Sequence, residues 1–198
     1  MSEKYNHSQL NKNQQAALPS AWFLTDDNRI NKPEDIIKTL PRDCGVIMRD
    51  YRLDPIQRRN RAETIASQCQ QDKRPFLIAG DPDLAKAVAA NGVHLSEKIL
   101  YRFDLDDMPD YWMITASCHG LSSLSHLNHP RLSALFVSPI FPTKSHIGET
   151  TLGLAGLEDI ARASHKPIYA LGGVTRENFK QLNHIPQVKG YAAISDFL

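Results

Sequence analysis

The most informative segment of this chain is Ala134-Leu135-Phe136-Val137-Ser138-Pro139-Ile140-Phe141-Pro142-Thr143-Lys144-Ser145. It begins as an apolar run of strand length, which Pro139 and Pro142 then interrupt. Because proline cannot donate to a sheet ladder, the strand ends here, and a loop carrying Thr143, Lys144 and Ser145 follows it. In parallel α/β folds this carboxyl end of the sheet is where ligands bind.

Two later apolar runs end in small residues. Residues 167–171 stop at Gly172-Gly173, and residues 190–195 end in Ile194-Ser195. Backbone N–H groups without bulky side chains can approach phosphate oxygens closely. The pattern predicts a phosphate-binding cup formed by Gly172, Gly173, Ile194 and Ser195, although the same residues would also suit plain turns at strand ends.

Apolar runs alternate with helical segments along the rest of the chain. The earlier runs cover residues 21–25, 45–49, 75–79, 93–95 and 111–116. This alternation indicates βαβ units and a parallel sheet, and eight strands favour a closed α/β TIM (β/α)8 barrel. We expect residues 1–20 to be a tail and residues 21–198 to be the barrel, which lacks the last helix. We expect the N-terminal segment or a partner subunit to cover the barrel wall there.

Length, net charge and cysteine content argue against nucleic-acid-binding, membrane-spanning and secreted proteins. A length of 198 residues suits one domain, and the net charge of +1 gives no strong field for nucleic acid or anionic membranes. No apolar run reaches the roughly 18 residues of a membrane span, and the N-terminus has no apolar signal core. The widely spaced cysteines Cys44, Cys69 and Cys118 indicate reduced thiols in a cytoplasmic protein. A homo-oligomer is a further expectation.

Six short motifs occur together in an order and spacing typical of one superfamily. They are WFLTD at 22–26, GVHL at 92–95, SCH at 117–119, SPIFPT at 138–143, ALGGV at 170–174 and AIS at 193–195. Across residues 21–196 the chain therefore resembles the thiamine phosphate synthase/TenI superfamily. The resemblance implies a TIM barrel and a place in thiamine biosynthesis.

The synthases of this superfamily join a hydroxymethylpyrimidine pyrophosphate to a thiazole phosphate, while magnesium holds the departing pyrophosphate. At the positions where the resemblance implies metal-handling residues, this chain has Ala79-Gly80 and Ile99. The lysine of the family's loop is also displaced, because His146 takes its position. We therefore expect no metal and no cofactor, with magnesium required only if the chain is a divergent synthase that recruits Asp81 and Lys144.

The TenI-type branch implies a different reaction, the isomerisation of a thiazole carboxylate phosphate to its aromatic form without a metal. The branch uses a histidine at the position of His119, and a side chain with a pKa near 6.5 can give and take a proton at neutral pH. Our leading interpretation is a TenI-like protein that binds a thiazole phosphate and acts as a thiazole tautomerase. The alternatives are a divergent thiamine phosphate synthase and a non-catalytic regulator that binds a phosphate ligand.

Several further residues are predicted to contact the ligand. Arg49, Ser117, Thr143 and Ser145 are predicted to bind the substrate or its phosphate, and the resemblance implies that His119 is the catalytic residue. Each has a plainer alternative. Thr143 and Ser145 would also cap their loop, Arg49 would also pair with an acid such as Asp81, and His119 would also be structural. His94 is predicted to be a packed core residue.

Overall fold

Eight parallel strands close into one barrel, in sequence order, in the computed structural model, which describes residues 18–143 and 150–198. The strands are β1 (Ala21–Leu24), β2 (Cys44–Met48), β3 (Phe76–Ala79), β4 (Gly92–Leu95), β5 (Met113–Cys118), β6 (Leu132–Val137), β7 (Ile168–Leu171) and β8 (Val188–Ala193). Pairing of Phe23 with Ala193 joins β1 to β8 and completes the ring. The predicted TIM barrel is confirmed.

Helical segments of uneven length connect the strands. The described α-helices are α1 (Pro33–Ile37), α2 (Pro55–Gln71), α3 (Pro82–Ala87), α4 (Glu97–Leu100) and α5 (Gly153–Ala163). The Asp54 carboxylate starts α2 by accepting the N–H groups of Ile56 at 2.9 Å and Gln57 at 3.0 Å. The connections after β5 and β7 are 3-10 segments, Leu121–His126 and Asn178–Leu182.

Aromatic side chains fill the interior of the barrel. The Trp22 ring centroid lies 6.0 Å from those of Phe136 and Tyr169, and the latter two lie 5.1 Å apart. The Tyr169 hydroxyl donates to the carbonyl oxygen of Pro19 at 2.6 Å, which fixes the buried segment beneath β1. Trp22, Phe136 and Tyr169 are fully buried. In parallel barrels ligands bind at the other end, where the strands finish.

The last residues of the sequence cover the outer wall between β8 and β1. Ser195–Phe197 forms a 3-10 turn, and its Phe197 ring lies 5.8 Å from Phe23 and stacks on Tyr191 at 6.1 Å. The sequence interpretation had assigned this cover to the N-terminal segment or to a partner subunit. Phe197 supplies an intrachain cover that the interpretation had not named, while residues 1–17 lie outside the described chain.

The three cysteines are buried and unpaired. Burial raises the pKa of Cys44 and of Cys69 to about 12, so both thiols stay protonated at neutral pH. In the described ranges, no helix is long and apolar enough to cross a membrane.

Candidate active site

The predicted site residues gather at the carboxyl ends of the strands. Arg49 follows β2, Ser117 and His119 lie at the end of β5, the pair Gly172-Gly173 follows β7, and Ser195 follows β8. In a closed parallel barrel these ends surround one mouth. Thr143 is the last described residue before residue 150, and the predicted contact Ser145 lies outside the described residues.

The exposed His119 side chain is fixed in one tautomer by a backbone acceptor. Its Nδ1 lies 3.0 Å from the carbonyl oxygen of Ser138. A carbonyl oxygen only accepts, so Nδ1 carries the hydrogen and Nε2 of the neutral ring keeps a lone pair. The backbone N–H of His119 donates to Glu97 Oε2 at 3.3 Å, and Glu97 Oε1 accepts the Ser123 hydroxyl at 2.6 Å.

The loop after β6 connects His119 to the glycine pair. Ser138 holds His119, and the next residue, Pro139, packs against Gly172, where an added Cβ would lie 2.8 Å from the Pro139 Cα. The same loop donates from the Phe141 N–H to the Gly172 carbonyl at 2.9 Å. The imidazole and the predicted cup are therefore positioned by one continuous segment.

Both glycines are required by their geometry. Gly172 has φ +84° and Gly173 has φ +67°, a region that residues with a Cβ rarely adopt. A Cβ on Gly173 would lie 2.6 Å from the carbonyl oxygen of Pro142. The two glycines therefore allow the loop after β7 to pack closely against the loop after β6. The sequence interpretation did not predict this packing role.

Backbone donors remain available in the cup. Within residues 18–143 and 150–198, the N–H groups of Gly173 and Ser195 donate to no acceptor. Ser195 is exposed, whereas Ile194 is half-buried and packs against the interior cluster. An anion would satisfy these donors, because free backbone N–H groups are strong hydrogen-bond donors.

Arg29 is a residue of this site that sequence reasoning missed. Its Nη2 donates to the Ser195 hydroxyl from the loop between β1 and α1. The two residues are 166 positions apart, so no local pattern links them. Arg29 adds a positive charge beside the cup.

Arg49 follows the inward-facing Ile47 and is half-buried at the mouth. In the described part of the chain it forms no ion pair, because Asp81 pairs with Arg58 at 2.6 Å and Asp50 pairs with Arg61 at 3.3 Å. The alternative in which Arg49 is neutralised by Asp81 is therefore wrong. A half-buried guanidinium without a carboxylate partner favours an anionic ligand.

His94 belongs to the interior, as predicted. Its Nδ1 lies 3.0 Å from the Thr115 hydroxyl, and its Nε2 lies 3.1 Å from the Ser117 hydroxyl. Burial, with smaller contributions from the charges of Arg49 and His119, lowers the pKa of His94 to about 3. His94 is therefore neutral at pH 7, and Ser117 contacts it at the floor of the mouth.

The residues present do not fit a magnesium site. Ala79, Gly80 and Ile99 offer no side-chain oxygen, although Mg²⁺ requires oxygen ligands in near-octahedral geometry. Asp81 Oδ1 accepts the Leu84 N–H at 2.9 Å, while its other oxygen faces Arg58. Among the described residues, no group of three His, Cys, Asp or Glu side chains could hold a metal ion.

A separate cavity of about 570 Å³ lies at the opposite end of the barrel, between the C-terminal ends of α2 and α3. Cys69, Arg74 and Asn91 are among its lining residues, and none of the mouth residues reaches it. We therefore assign the chemistry to the mouth rather than to this cavity.

Sequence comparison finds a matching family model and relatives that are named as thiamine-phosphate synthases. The family model described as thiamine monophosphate synthase matches residues 28–197. A protein of Aquifex aeolicus (strain VF5) named "Putative thiamine-phosphate synthase 2" is 30% identical, over 91% of this chain and 98% of its own length. The thiamine-phosphate synthase of Prochlorococcus marinus is 29% identical over 76% of this chain, which covers only 45% of that relative.

Comparison with solved structures supports the same fold. The thiamine phosphate pyrophosphorylase of Pyrococcus furiosus superposes with a TM-score of 0.73, at 21% identity, over 90% of this chain and 86% of its own. FabK from Thermotoga maritima also superposes, with a TM-score of 0.68 at 12% identity, over 91% of this chain and 59% of its own. At these identities the likeness concerns the fold alone.

Proposed function

Because this chain belongs to the thiamine monophosphate synthase family, we propose that it binds a thiazole phosphate at the barrel mouth and isomerises it through His119. The observation that carries the proposal is the hydrogen bond from His119 Nδ1–H to the Ser138 carbonyl at 3.0 Å. This bond leaves Nε2 as the basic atom of an exposed imidazole beside the cup. The proposed activity is therefore that of a thiazole tautomerase.

Phosphate binding is the first step. The N–H groups of Gly173 and Ser195 supply two donors, and Arg29, which donates to the Ser195 hydroxyl, supplies a positive charge. Thr143 ends the described part of the β6 loop on the same side. Donors fixed by strand ends bind an anion without further ordering of the chain.

Proton transfer is the second step. His119 Nε2 takes a proton from the thiazole carboxylate phosphate, and the ring electrons shift toward the aromatic arrangement. The imidazolium then returns one proton to the atom at the other end of the shifted electron pair. No atom is gained or lost, so the product is an isomer. The Ser138 carbonyl stabilises the imidazolium by accepting the Nδ1–H throughout.

The second candidate is thiamine phosphate synthase activity, because the relatives carry that name. The reaction joins two substrates and releases pyrophosphate, a leaving group with several negative charges. Asp81 is the acid closest in sequence to the expected ligand positions, and it is occupied by Arg58 and by the N-terminus of α3. This occupation is why we rank the synthase second.

The deciding experiment is an assay of the purified protein with the non-aromatic thiazole carboxylate phosphate, followed by NMR in D₂O. We expect conversion to the aromatic isomer, with solvent deuterium entering the ring system, at the same rate in EDTA and in magnesium. A parallel reaction contains a hydroxymethylpyrimidine pyrophosphate, a thiazole phosphate and magnesium. Thiamine phosphate formed there without any isomerisation in the first assay would select the synthase.

Binding without turnover in either reaction would leave only the non-catalytic interpretation. Calorimetric titration with the aromatic thiazole carboxylate phosphate detects that case. The proposed setting is the cytosol, where the three protonated thiols stay reduced.

A further inference from the structure

We propose that Arg58 takes the place of a divalent cation at this mouth, and that Arg49 and Arg58 form a metal-independent subsite for a carboxylate group. This inference rests on the proposed function, because it concerns the second anionic group of a thiazole carboxylate phosphate. It assigns a role to Arg58, which lies on α2 outside every motif discussed above.

The Arg58 guanidinium is held at the end of β3 by two contacts. Its Nη1 donates to Asp81 Oδ2 at 2.6 Å, and its Nη2 donates to the Ala79 carbonyl at 2.9 Å. Only 13% of the side chain is exposed. A guanidinium fixed at two points is a stationary positive charge, which is what a bound cation would otherwise provide.

Asp81 is already paired with Arg58, and the side chains packed around the adjacent Gly80 include no further carboxylate. The Tyr51 ring covers Gly80, where an added Cβ would lie 3.7 Å from Tyr51 Cε1 and 3.3 Å from Ile99 Cδ1. The Arg58 guanidinium lies 5.8 Å from the centroid of the same ring. The Tyr51 ring therefore lies beside both Arg58 and Gly80, and the Ile99 side chain lies beside Gly80.

Arg49 follows Met48, which pairs with Ile78, so the Arg49 backbone lies beside Ala79, whose carbonyl oxygen accepts from Arg58. Partial burial raises the pKa of Tyr51, and the charges of Arg49 and Arg58 oppose that rise. Both guanidinium groups therefore act on one hydroxyl, although the Tyr51 side chain as a whole is exposed. Arg49 differs from Arg58 in having no carboxylate partner in the described ranges, so we assign it the direct contact with the ligand.

The local charge selects the class of ligand. Arg49 and Arg58 contribute two positive charges and Asp81 one negative charge, which leaves a net charge of +1. Asp50 and Arg61 form a separate neutral pair. One excess charge balances a carboxylate, whereas a pyrophosphate with about three negative charges would stay largely uncompensated. The planar carboxylate also matches the geometry of a guanidinium.

Two anion subsites then lie on one mouth, which suits a ligand that carries a phosphate and a carboxylate. The phosphate binds at β7 and β8, and the carboxylate binds at β2 and β3. Arg58 is a positioning residue in this scheme, since it fixes the charge and the loop that face the carboxylate. The subsite discriminates the carboxylated thiazole phosphate from the compound without the carboxylate.

The test is calorimetric titration of wild type and variants with two probes in EDTA. The probes are the aromatic thiazole carboxylate phosphate and the thiazole phosphate that lacks the carboxylate. We expect wild type to bind the carboxylated probe at least about tenfold more tightly, as for a charge-assisted hydrogen bond, and added magnesium to change neither affinity. Arg49→Gln and Arg58→Gln should bind both probes about equally.

Arg59→Gln is the matched control, because Arg59 is the next residue on α2 and forms an exposed pair with Glu63. It should keep the wild-type preference. Arg58→Lys keeps the charge, so it should retain part of the preference even if Arg58→Gln is too unstable to purify. Equal binding of both probes by wild type, or tighter binding caused by magnesium, would overturn the carboxylate subsite and leave the proposed function standing. Failure of wild type to bind either probe would overturn both.

Discussion

His119 Nδ1 lies 3.0 Å from the backbone carbonyl oxygen of Ser138. Because the acceptor is part of the main chain, no substitution at residue 138 removes it, and the tautomer of His119 is set by the path of the β6 loop. The Ser138 side chain approaches the same nitrogen at 3.4 Å and adds little to this constraint.

The first prediction concerns His119 itself. His119→Asn should lower kcat of the isomerisation by roughly a hundred- to ten-thousand-fold, because general acid–base catalysis contributes about that much. Ligand affinity should stay near the wild-type value, since the phosphate contacts are unchanged. His126→Asn, an exposed histidine in the next 3-10 segment, is the control. A His119→Asn enzyme with wild-type kcat would exclude this residue from the chemistry.

The second prediction concerns Glu97, which accepts the His119 N–H and the Ser123 hydroxyl. Glu97→Ala should lower kcat on the order of tenfold, because the His119 backbone loses a hydrogen bond and the imidazole loses its alignment. KM should change little, because the ligand contacts are unchanged. Lys98→Ala, on the neighbouring exposed position, should behave as wild type. Equal losses in both variants would show that α4 matters only for folding.

The third prediction concerns pH. The pKa of His94 is about 3 in the folded chain, against about 6.5 when unfolded, because burial disfavours the charged ring. Below pH 6.5 the unfolded chain binds a proton that the folded chain does not, so stability decreases as the pH falls toward 3. The free energy of unfolding should drop by about 2 kcal/mol more between pH 7 and 5 than in His94→Gln. Urea titrations at pH 7 and pH 5 measure the free energy of unfolding of both proteins. An equal decrease in wild type and His94→Gln would contradict the prediction.

The fourth prediction concerns Gly173. Gly173→Ala should destabilise the protein by about 1–3 kcal/mol and weaken phosphate binding, because its Cβ would meet the Pro142 carbonyl oxygen at 2.6 Å. Gly153→Ala is a matched control, since Gly153 also has a positive φ, of +61°, but no atom within 4 Å of an added Cβ. It should cost only about 1 kcal/mol. Equal costs would mean that backbone conformation, not the loop contact, requires glycine at residue 173.

The fifth prediction concerns the C-terminal cover. Phe197→Ala should lower the free energy of unfolding by about 2 kcal/mol, because the ring packs on Phe23 and Tyr191. Leu198→Ala should change it little, since Leu198 is 63% exposed. Calorimetric melting of both variants tests this. A Phe197→Ala melting temperature equal to that of wild type would mean that another segment covers the wall.

Much of the fold follows from local sequence. Strands β6 and β7 were predictable because proline and glycine end apolar runs of strand length at Pro139 and Gly172. The segment after β5 was harder. Ser125 donates locally to the Ser122 carbonyl oxygen and Ser123 donates to the distant Glu97, and the segment forms a 3-10 turn.

The site was less predictable than the fold, because its partners are distant in sequence. Arg29 reaches Ser195, and Arg58 reaches Asp81 across 23 positions. Neither arginine occurs in a motif. The Arg29–Ser195 contact depends on the closure of the barrel between β1 and β8, and the Arg58–Asp81 pair depends on the pairing of β2 with β3. The carboxyl-end location of the residues was predictable from strand order, whereas the choice of partner for each charge was not.

The buried interior around Tyr169 has a kinetic consequence. Within the described residues, the Tyr169–Pro19 hydrogen bond and the buried Trp22 and Phe136 rings fill the amino end of the interior, so we expect small molecules to enter and leave by the mouth. A product formed at the mouth must leave by the route through which the next substrate enters. For the proposed isomerisation, the two isomers should therefore compete for the mouth, and turnover should slow at high conversion.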